Sequence, residues 1–367
     1  MKVLEEAAVG GKKVLVRVDL NVPQDENGKI TDDFRLMAIL PTLNFLLNRG
    51  AKVILMAHLG QPKKIDKKYS FKPVYIHLSA LLKKPILFAP ELFSPRTRQA
   101  VDGLESGQVL GLENLRFDPG EDNDSRTFAR RLSEYGDIYV NDAFSVCHRQ
   151  AASMVAIAEF LPAYAGLLLE KEIQVLGSLL KDPAEPFVAI IGGAKIEDKL
   201  PAITHLLEKT DRVLVGGGVA NNFLLANGVD VKKSLIDKER LSIAKEIIKK
   251  AKGKLILPSD CVWKGDIIAD IGRRSTDLYL SYIKSAKTVF WNGCLGITEE
   301  AAYSASSDRV AKAMAESGAT TIVGGGNTIE VIRRLRLENK ISFISSGGGA
   351  SLEFLSGKKL PGIAALD

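Results

Sequence analysis

The chain has 367 residues, 46% of them hydrophobic. That is enough to bury a large core and more than one compact core usually holds, so two domains are expected. A net charge of +6 and a pI near 9.0 favour anionic partners. The basic residues are dispersed and never interleave with aromatics as in single-strand nucleic-acid binders, so small phosphorylated molecules fit better than nucleic acid. The runs at 63–68 and 249–254 read as solvated faces. Cys147, Cys261 and Cys294 are odd in number and far apart, giving neither a disulfide framework nor a zinc pattern, and they point to a reducing compartment. The opening MKVLEEAAVG has early acids and no apolar centre, and no run approaches membrane-spanning length; a soluble, cytoplasmic protein is expected, without a membrane partner.

From Lys13 to Asn21, KVLVRVDLN reads as a strand whose end turns polar. Asp19 and Asn21 are two apart and so lie on one side of an extended chain; Pro23 ends the strand. The stretch at 32–50, DDFRLMAILPTLNFLLNRG, has acids first, a 3.6-residue apolar period and Gly50 last, which predicts one helix. Arg35 falls in its first turn, where a cation opposes the helix dipole, so a purely structural account of it is weak. KVILMAHLGQP, at 52–62, is a second buried strand, ending at His58; taken alone, that histidine reads as an ordinary hydrogen-bonded loop residue. VLGLENLRF brings Arg116 to a strand end, and DIYVNDAF, starting at Asp137, is followed by His148 and Arg149. In a doubly wound sheet the carboxyl ends of the strands share one crevice. Asp19, Asn21, His58, Arg116 and Arg149 would meet there with Arg35, and three arginines together describe a site for a doubly charged phosphate. A scatter of surface ion pairs is the blander alternative, and it does not account for arginines gathered at strand ends.

After Pro162, AYAGLLLEKEIQVLGSLL is densely periodic up to Asp182-Pro183 and reads as a linker helix over 162–181. It is a stiff lever between a half whose strand ends carry arginines and a half whose strand ends carry glycines. In PFVAIIGGAKIEDK, at 186–199, an unbroken apolar run reads as a buried parallel strand. Gly192 and Gly193 are expected to leave backbone N–H groups uncovered where a helix opens. On that helix Lys195 and Lys199, four apart, would share a face and reach one phosphate chain. A tight turn with two solvated lysines is the alternative. The pattern recurs in RVLVGGGVANN, TTIVGGGNTIE and ISFISSGGGAS, and four such turns suggest a shared anion site. None fits the P-loop or the dinucleotide fingerprint, so that reading rests on repetition. A further strand is expected at 254–258. KTVFWNGCLGITEE exposes Asn292 and Gly293 at another strand end and places Glu299 a few residues on; Trp263 and Trp291 read as core or pocket wall.

The segments VRVDLNVP, HLGQPK, LENLRF, YVNDAF with HR after it, IIGGAKIEDK, VLVGGGVANNF, WNGCLGITEE, IVGGGNT and SSGGGASLEFL cover nearly the whole chain. Their order and spacing resemble those of the phosphoglycerate kinase family, apart from a shorter loop before DIIADIG. The resemblance implies an α/β fold of two Rossmann-like parallel-sheet domains joined by a hinge helix. The first, 1–161 with a returning tail at 351–367, would bind phosphoglycerate; the second, 182–350, would bind Mg-ADP or Mg-ATP. It also implies a monomer that moves a phosphoryl group from 1,3-bisphosphoglycerate to ADP. Carried over by motif, Asp19 and Asn21 would hold the glycerate, and His58, Arg116 and Arg149 would hold it and its non-transferred phosphate, with Gln61 beside them. Arg35 and Lys195 would stabilise the phosphoryl group in flight, with backbone N–H groups around Gly326 and Gly349. Lys199 would bind nucleotide phosphate and Glu299 the ribose hydroxyls. Gly193, Gly217, Asn292, Gly324, Gly325, Gly326, Asn327 and Thr328 would complete the nucleotide site, and Asn327 would touch Mg2+ weakly, through the nucleotide.

Departures from the family pattern bear on function. Gln61 stands where the family usually has arginine, so a charge-assisted contact of roughly 1.5–3 kcal/mol becomes a neutral one of about half that. Asn327 replaces an aspartate that ligates magnesium, removing one negative charge beside a divalent cation. Cys294 replaces a proline, and a histidine common after HR is missing. A second reading follows, of a catalytically impaired paralogue that binds nucleotide or sugar phosphate as a regulator. The survival of Arg35, Lys195, Lys199, Glu299, Arg116 and Arg149 weighs against it. A nicotinamide dehydrogenase, the third reading, lacks its fingerprint.

Overall fold

The computed structural model describes residues 1–26 and 28–367. The chain divides into two compact units, Met1–Ile173 with Lys359–Asp367, and Gln174–Lys358. The division falls inside the helix Leu167–Lys181.

In the first unit the apolar runs form six parallel strands: β1 (Lys13–Val18), β2 (Lys52–Met56), β3 (Ile86–Ala89), β4 (Val109–Leu112), β5 (Ile138–Asp142) and β6 (Ala163–Ala165). Their order is β3-β4-β2-β1-β5-β6. β1, β4 and β5 are buried nearly end to end, as expected of strands covered on both faces. Val14, Val16 and Val18 pack with Leu43, Leu46, Val53, Leu55, Val74 and Leu78 in one cluster. β1 lies between β2 and β5, in register through Val16 with Leu55 and Val140. The connections change direction at that point, which opens a crevice at the carboxyl end of β1.

The second unit holds β7 (Phe187–Ile191), β8 (Arg212–Val215), β9 (Leu255–Ile256), β10 (Cys261–Lys264), β11 (Ile267–Ile271), β12 (Thr288–Asn292), β13 (Thr320–Gly324) and β14 (Phe343–Ile344). Its six-stranded sheet has the order β14-β13-β12-β7-β8-β9, and β10 and β11 form a separate antiparallel hairpin. Without the hairpin this is the 3-2-1-4-5-6 order of doubly wound nucleotide-binding sheets, with its switch point between β7 and β12.

Several expectations need correction. The helix expected over 32–50 is two helices, Phe34–Ala38 and Leu40–Asn48, because Pro41 has no N–H to give to Met37 and its ring crowds that carbonyl. The linker helix begins at Leu167 rather than 162. The residues before it pair as β6 alongside β5, and Asp142 Oδ1 accepts the N–H groups of Leu168 and Leu169 at 2.9 and 3.1 Å, capping the helix. The helix Gly349–Leu355 packs on Leu200–Lys209 in the second unit, so the chain rejoins the first unit at 359 rather than 351. There Gly362 exchanges backbone and side-chain hydrogen bonds with Cys147 and Asn141. Trp291 is buried, but Trp263 sits 37% exposed on the hairpin with Lys232 Nζ 4.8 Å from its ring centre. Among the described residues, no helix is long and apolar enough to cross a membrane.

Candidate functional site

In the first unit the carboxyl ends of β1, β2, β4 and β5 bring together the side chains expected to meet. Asp19 is buried, and its Oδ2 pairs with Arg35 Nη1 at 2.8 Å and accepts a hydrogen bond from Ser145 Oγ. Arg35 Nη1 also donates to the Asn21 carbonyl at 3.0 Å, while Asn21 Oδ1 accepts from Gly60 N–H at 3.1 Å. Arg116 donates to the Gly60 carbonyl at 2.7 Å and pairs with Asp122 at 2.9 Å. Arg149 and Gln61 are exposed. His58 is buried and held far below its ordinary titration range, first by that burial and then by the positive charges of Arg17, Arg116, Arg149 and Arg35. It is therefore a neutral ring ringed by cations, more than an ordinary loop histidine.

Two residues of this site escape sequence reasoning. Arg17 is fully buried in β1, with Nη2 2.8 Å from His58 Nδ1; a charged residue inside the apolar run VLVRV was the available signal. Asn114 is also buried: it accepts from the Leu59 and Arg116 N–H groups and donates to the Leu59 and Tyr69 carbonyls, shaping the turn that carries Arg116.

In the second unit a cleft of about 510 Å³ lies over the strand ends. Gly193, Lys195, Lys199, Gly217, Asn292, Glu299, Gly325, Gly326, Asn327 and Thr328 all line it, as does the apolar set Leu235, Ile267, Ile268 and Ile297. The convergence of glycine turns holds for three of the four clusters. Gly349 opens a seven-residue helix after the edge strand β14 and Gly324 ends β13, and neither is among the residues that line the cleft.

The local account of the lysine stretch changes. Residues 192–199 form a turn, and the helix starts only at Leu200, so Lys195 and Lys199 share no helical face. They are coupled instead through Lys199 Nζ donating to the Lys195 carbonyl at 3.1 Å. Burial, with Lys195 adding to it against the pull of Asp198, lowers the Lys199 titration point. Nor are the glycine N–H groups uncovered: Gly192 donates to Asn292 and Gly193 to Cys294. The helix Gly326–Arg334 supplies the open amides, because its first N–H groups have no intrahelical acceptor and its cap offers no side chain. Gly325 must be glycine there, with φ +90° and Asn292 Oδ1 3.2 Å from where a Cβ would stand. Thr328 Oγ1 accepts from Gly293 N–H at 2.8 Å. Cys294 also lines the cleft, with burial pushing its thiol up to about 11, which keeps it a thiol at neutral pH.

Among the described residues no group of three or more His, Cys, Asp or Glu side chains could hold a metal ion. Asn327 spends its Nδ2 on Glu299 Oε1 at 2.9 Å and keeps only its carbonyl oxygen free of that bond. Such a donor set does not fit a protein-held magnesium and does fit one carried by nucleotide phosphates.

Two doubly wound sheets, one with guanidinium-lined strand ends and one with a lysine- and amide-lined cleft, define an α/β phosphotransferase. The comparisons agree. A family model described as phosphoglycerate kinase matches residues 4–358. A phosphoglycerate kinase of Herpetosiphon aurantiacus is 46% identical, covering 99% of this chain and 98% of the relative, and one of Chloroflexus aggregans is 44% identical over 100% and 98%. The crystal structure of phosphoglycerate kinase from Pyrococcus horikoshii OT3 superposes with a TM-score of 0.91 at 33% identity, covering 100% of this chain and 98% of that one. The Coxiella burnetii phosphoglycerate kinase structure gives 0.85 at 36%, over 99% and 98%. The chain belongs to the phosphoglycerate kinase family and is a kinase. The alternative of an impaired paralogue receives no support from these relatives.

Proposed function

We propose that the chain transfers a phosphoryl group reversibly between the carboxyl group of 3-phosphoglycerate and ADP, in the cytoplasm and as a monomer. The reaction needs two anions held in line, water excluded, and charge on the equatorial oxygens neutralised, with little covalent help from protein. The first unit takes the phosphoglycerate. Arg116, Arg149 and His58 grip its non-transferred phosphate, with Gln61 as a weaker neighbour, and Asp19 and Asn21 hold the glycerate while Asp19 aims Arg35. The second unit takes the nucleotide, its base against Leu235, Ile268 and Ile297. Lys199, Asn292, Thr328 and the amides at Gly325 and Gly326 hold its phosphates, and Glu299 holds its ribose. Gly193 and Gly217 let the backbone approach the nucleotide closely. Arg35 and Lys195 neutralise the phosphoryl group as it moves. Magnesium bound with the nucleotide supplies charge neutralisation at the phosphate oxygens, and Asn327 offers it a carbonyl oxygen. The backbone amides at Gly324, where β13 ends, and at Gly349, where the helix after β14 opens, complete the donors to the nucleotide and to the phosphoryl group in flight.

The observation that supports the reading best is the convergence of Arg35, Arg116 and Arg149 on His58 at one sheet's switch point. A coupled assay with ADP and 1,3-bisphosphoglycerate tests it. Arg35→Ala should lose about three orders of magnitude in kcat, the scale of a removed transition-state arginine. An unaltered chain no faster than that variant would refute the proposal.

A further inference from the structure

We propose that Arg17 is a positioning residue for the acid-phosphate site: from inside β1 it holds His58 as the Nε2–H tautomer, and Glu121 with Ser153 hold Arg17. This rests on the reading that His58 contacts the phosphoglycerate.

The geometry leaves one tautomer. A guanidinium can only donate, and Arg17 Nη2 stands 2.8 Å from His58 Nδ1. Nδ1 is therefore the acceptor, and the ring proton sits on Nε2, the nitrogen that remains to donate to an anion. Arg17 has no freedom to do otherwise. Its Nη1 donates to the Val18 carbonyl at 2.6 Å and its Nε to Ser153 Oγ at 2.8 Å. Ser153 in turn gives Glu121 its hydroxyl at 2.6 Å and its N–H at 3.0 Å, and Glu121 Oε1 lies 3.8 Å from Nη2. Arg17, Glu121 and Ser153 are all at most 1% exposed.

A buried ion pair of this kind contributes little stability over an apolar replacement, so its place in the fold is better explained by what it orients. The charged groups acting on His58 are Arg17 on β1, Arg116 after β4, Arg149 after β5 and Arg35 on the first helix. All are cations that oppose its protonation. The site thus keeps a neutral, oriented donor through pH 5–8 in place of a histidine that gains charge as pH falls.

The test begins with the unaltered, ligand-free chain. Nitrogen-15 NMR of the imidazoles, with His58 assigned by His58→Asn, should show an unprotonated Nδ1, a protonated Nε2 and no titration between pH 8 and 5. A protonated Nδ1 overturns the proposal. The second variant removes the buried pair together, Arg17→Met with Glu121→Gln, so that no lone carboxylate is left inside. It should show mixed tautomers, a His58 titration moved towards its ordinary range, and a KM for 3-phosphoglycerate raised about three- to tenfold, as for one misdirected hydrogen bond, with the KM for ATP little changed. Arg17→Lys should recover part of the loss. A folded double variant that keeps the single tautomer and a flat pH profile also overturns the proposal; should that variant not fold, the spectrum of the unaltered chain decides. The expected tautomer in a chain that binds no 3-phosphoglycerate would sink the substrate reading and leave the role of Arg17 as a positioner standing.

Discussion

Asn327 and Glu299 touch at 2.9 Å through an amide N–H and a carboxylate oxygen, so under the proposed function a charge change at position 327 should alter how the cleft takes a magnesium nucleotide. Asn327→Asp would turn that hydrogen bond into a contact between two carboxylates. Without metal they repel; with a magnesium nucleotide the added charge faces a divalent ion. The ratio of nucleotide affinities with and without Mg2+ should therefore grow by about tenfold, read by calorimetric titration in magnesium and in chelator. An unchanged ratio would mean that the side chain does not face the bound phosphates. At this scale the sequence was informative wherever a polar residue followed an apolar run, as with Asp19, Arg116 and Asn292. It was less informative for groups inside the sheet. Arg17 and Asn114 act through partners 40 or more residues away in the chain, and no local spacing reveals such a pairing. At Gly192 and Gly193 the amides looked free only because their acceptors, Asn292 and Cys294, come about a hundred residues later.

Elements follow their periodicity until a single residue intervenes. The strands were legible because a run buried on both faces has almost no polar position. At 32–50 the apolar period runs on through Pro41, which nonetheless splits the helix in two, and at 195–199 a four-residue spacing mimics a helix that begins only at Leu200. Gly218 shows how tightly these elements then pack: a Cβ there would stand 2.2 Å from the Ala194 carbonyl oxygen. Gly218→Ala must push the lysine turn away from the helix Gly217–Ala226. We expect nucleotide affinity to fall by about tenfold or more while phosphoglycerate affinity holds, as for a lost backbone fit of one to two kcal/mol.

The cap of the helix Leu167–Lys181 carries a different consequence. Burial raises the carboxyl of Asp142 to about 6, outweighing the hydrogen bonds it accepts from the Leu168 and Leu169 N–H groups. Its folded value lies above its unfolded one, so its contribution to stability is complete below about pH 4 and is lost as pH rises through 6. Asp142→Asn keeps an acceptor for both N–H groups and cannot ionise. Thermal melts from pH 4 to 7 should show the unaltered chain losing roughly 2–3 kcal/mol relative to that variant, and parallel curves would refute the assignment.

For the whole molecule, the chain order of the two units matters, because the first is discontinuous. Its last nine residues, Lys359–Asp367, arrive after the second unit is complete. They bury Leu360 and Leu366, at 2% and 3% exposure, and bring Gly362 onto Cys147 and Asn141 beside β5. The amino group of Met1 lies 3.4 Å from Asp367, so both chain ends close on the same unit. The returning tail was legible through the family resemblance alone, which started it at 351 rather than at 359. Two buried leucines contribute about 1.5–3 kcal/mol each, a large share of a net stability of about 5–15 kcal/mol. Removing 359–367 should therefore lower the melting transition of the first unit and abolish phosphoglycerate binding. The second unit, whose sheet and cleft contain none of those residues, should keep its nucleotide affinity and its resistance to proteolysis. Calorimetry with limited proteolysis and separate titrations of the two ligands distinguishes this from a uniform loss across both units, which would show that the tail stabilises the molecule as one cooperative body.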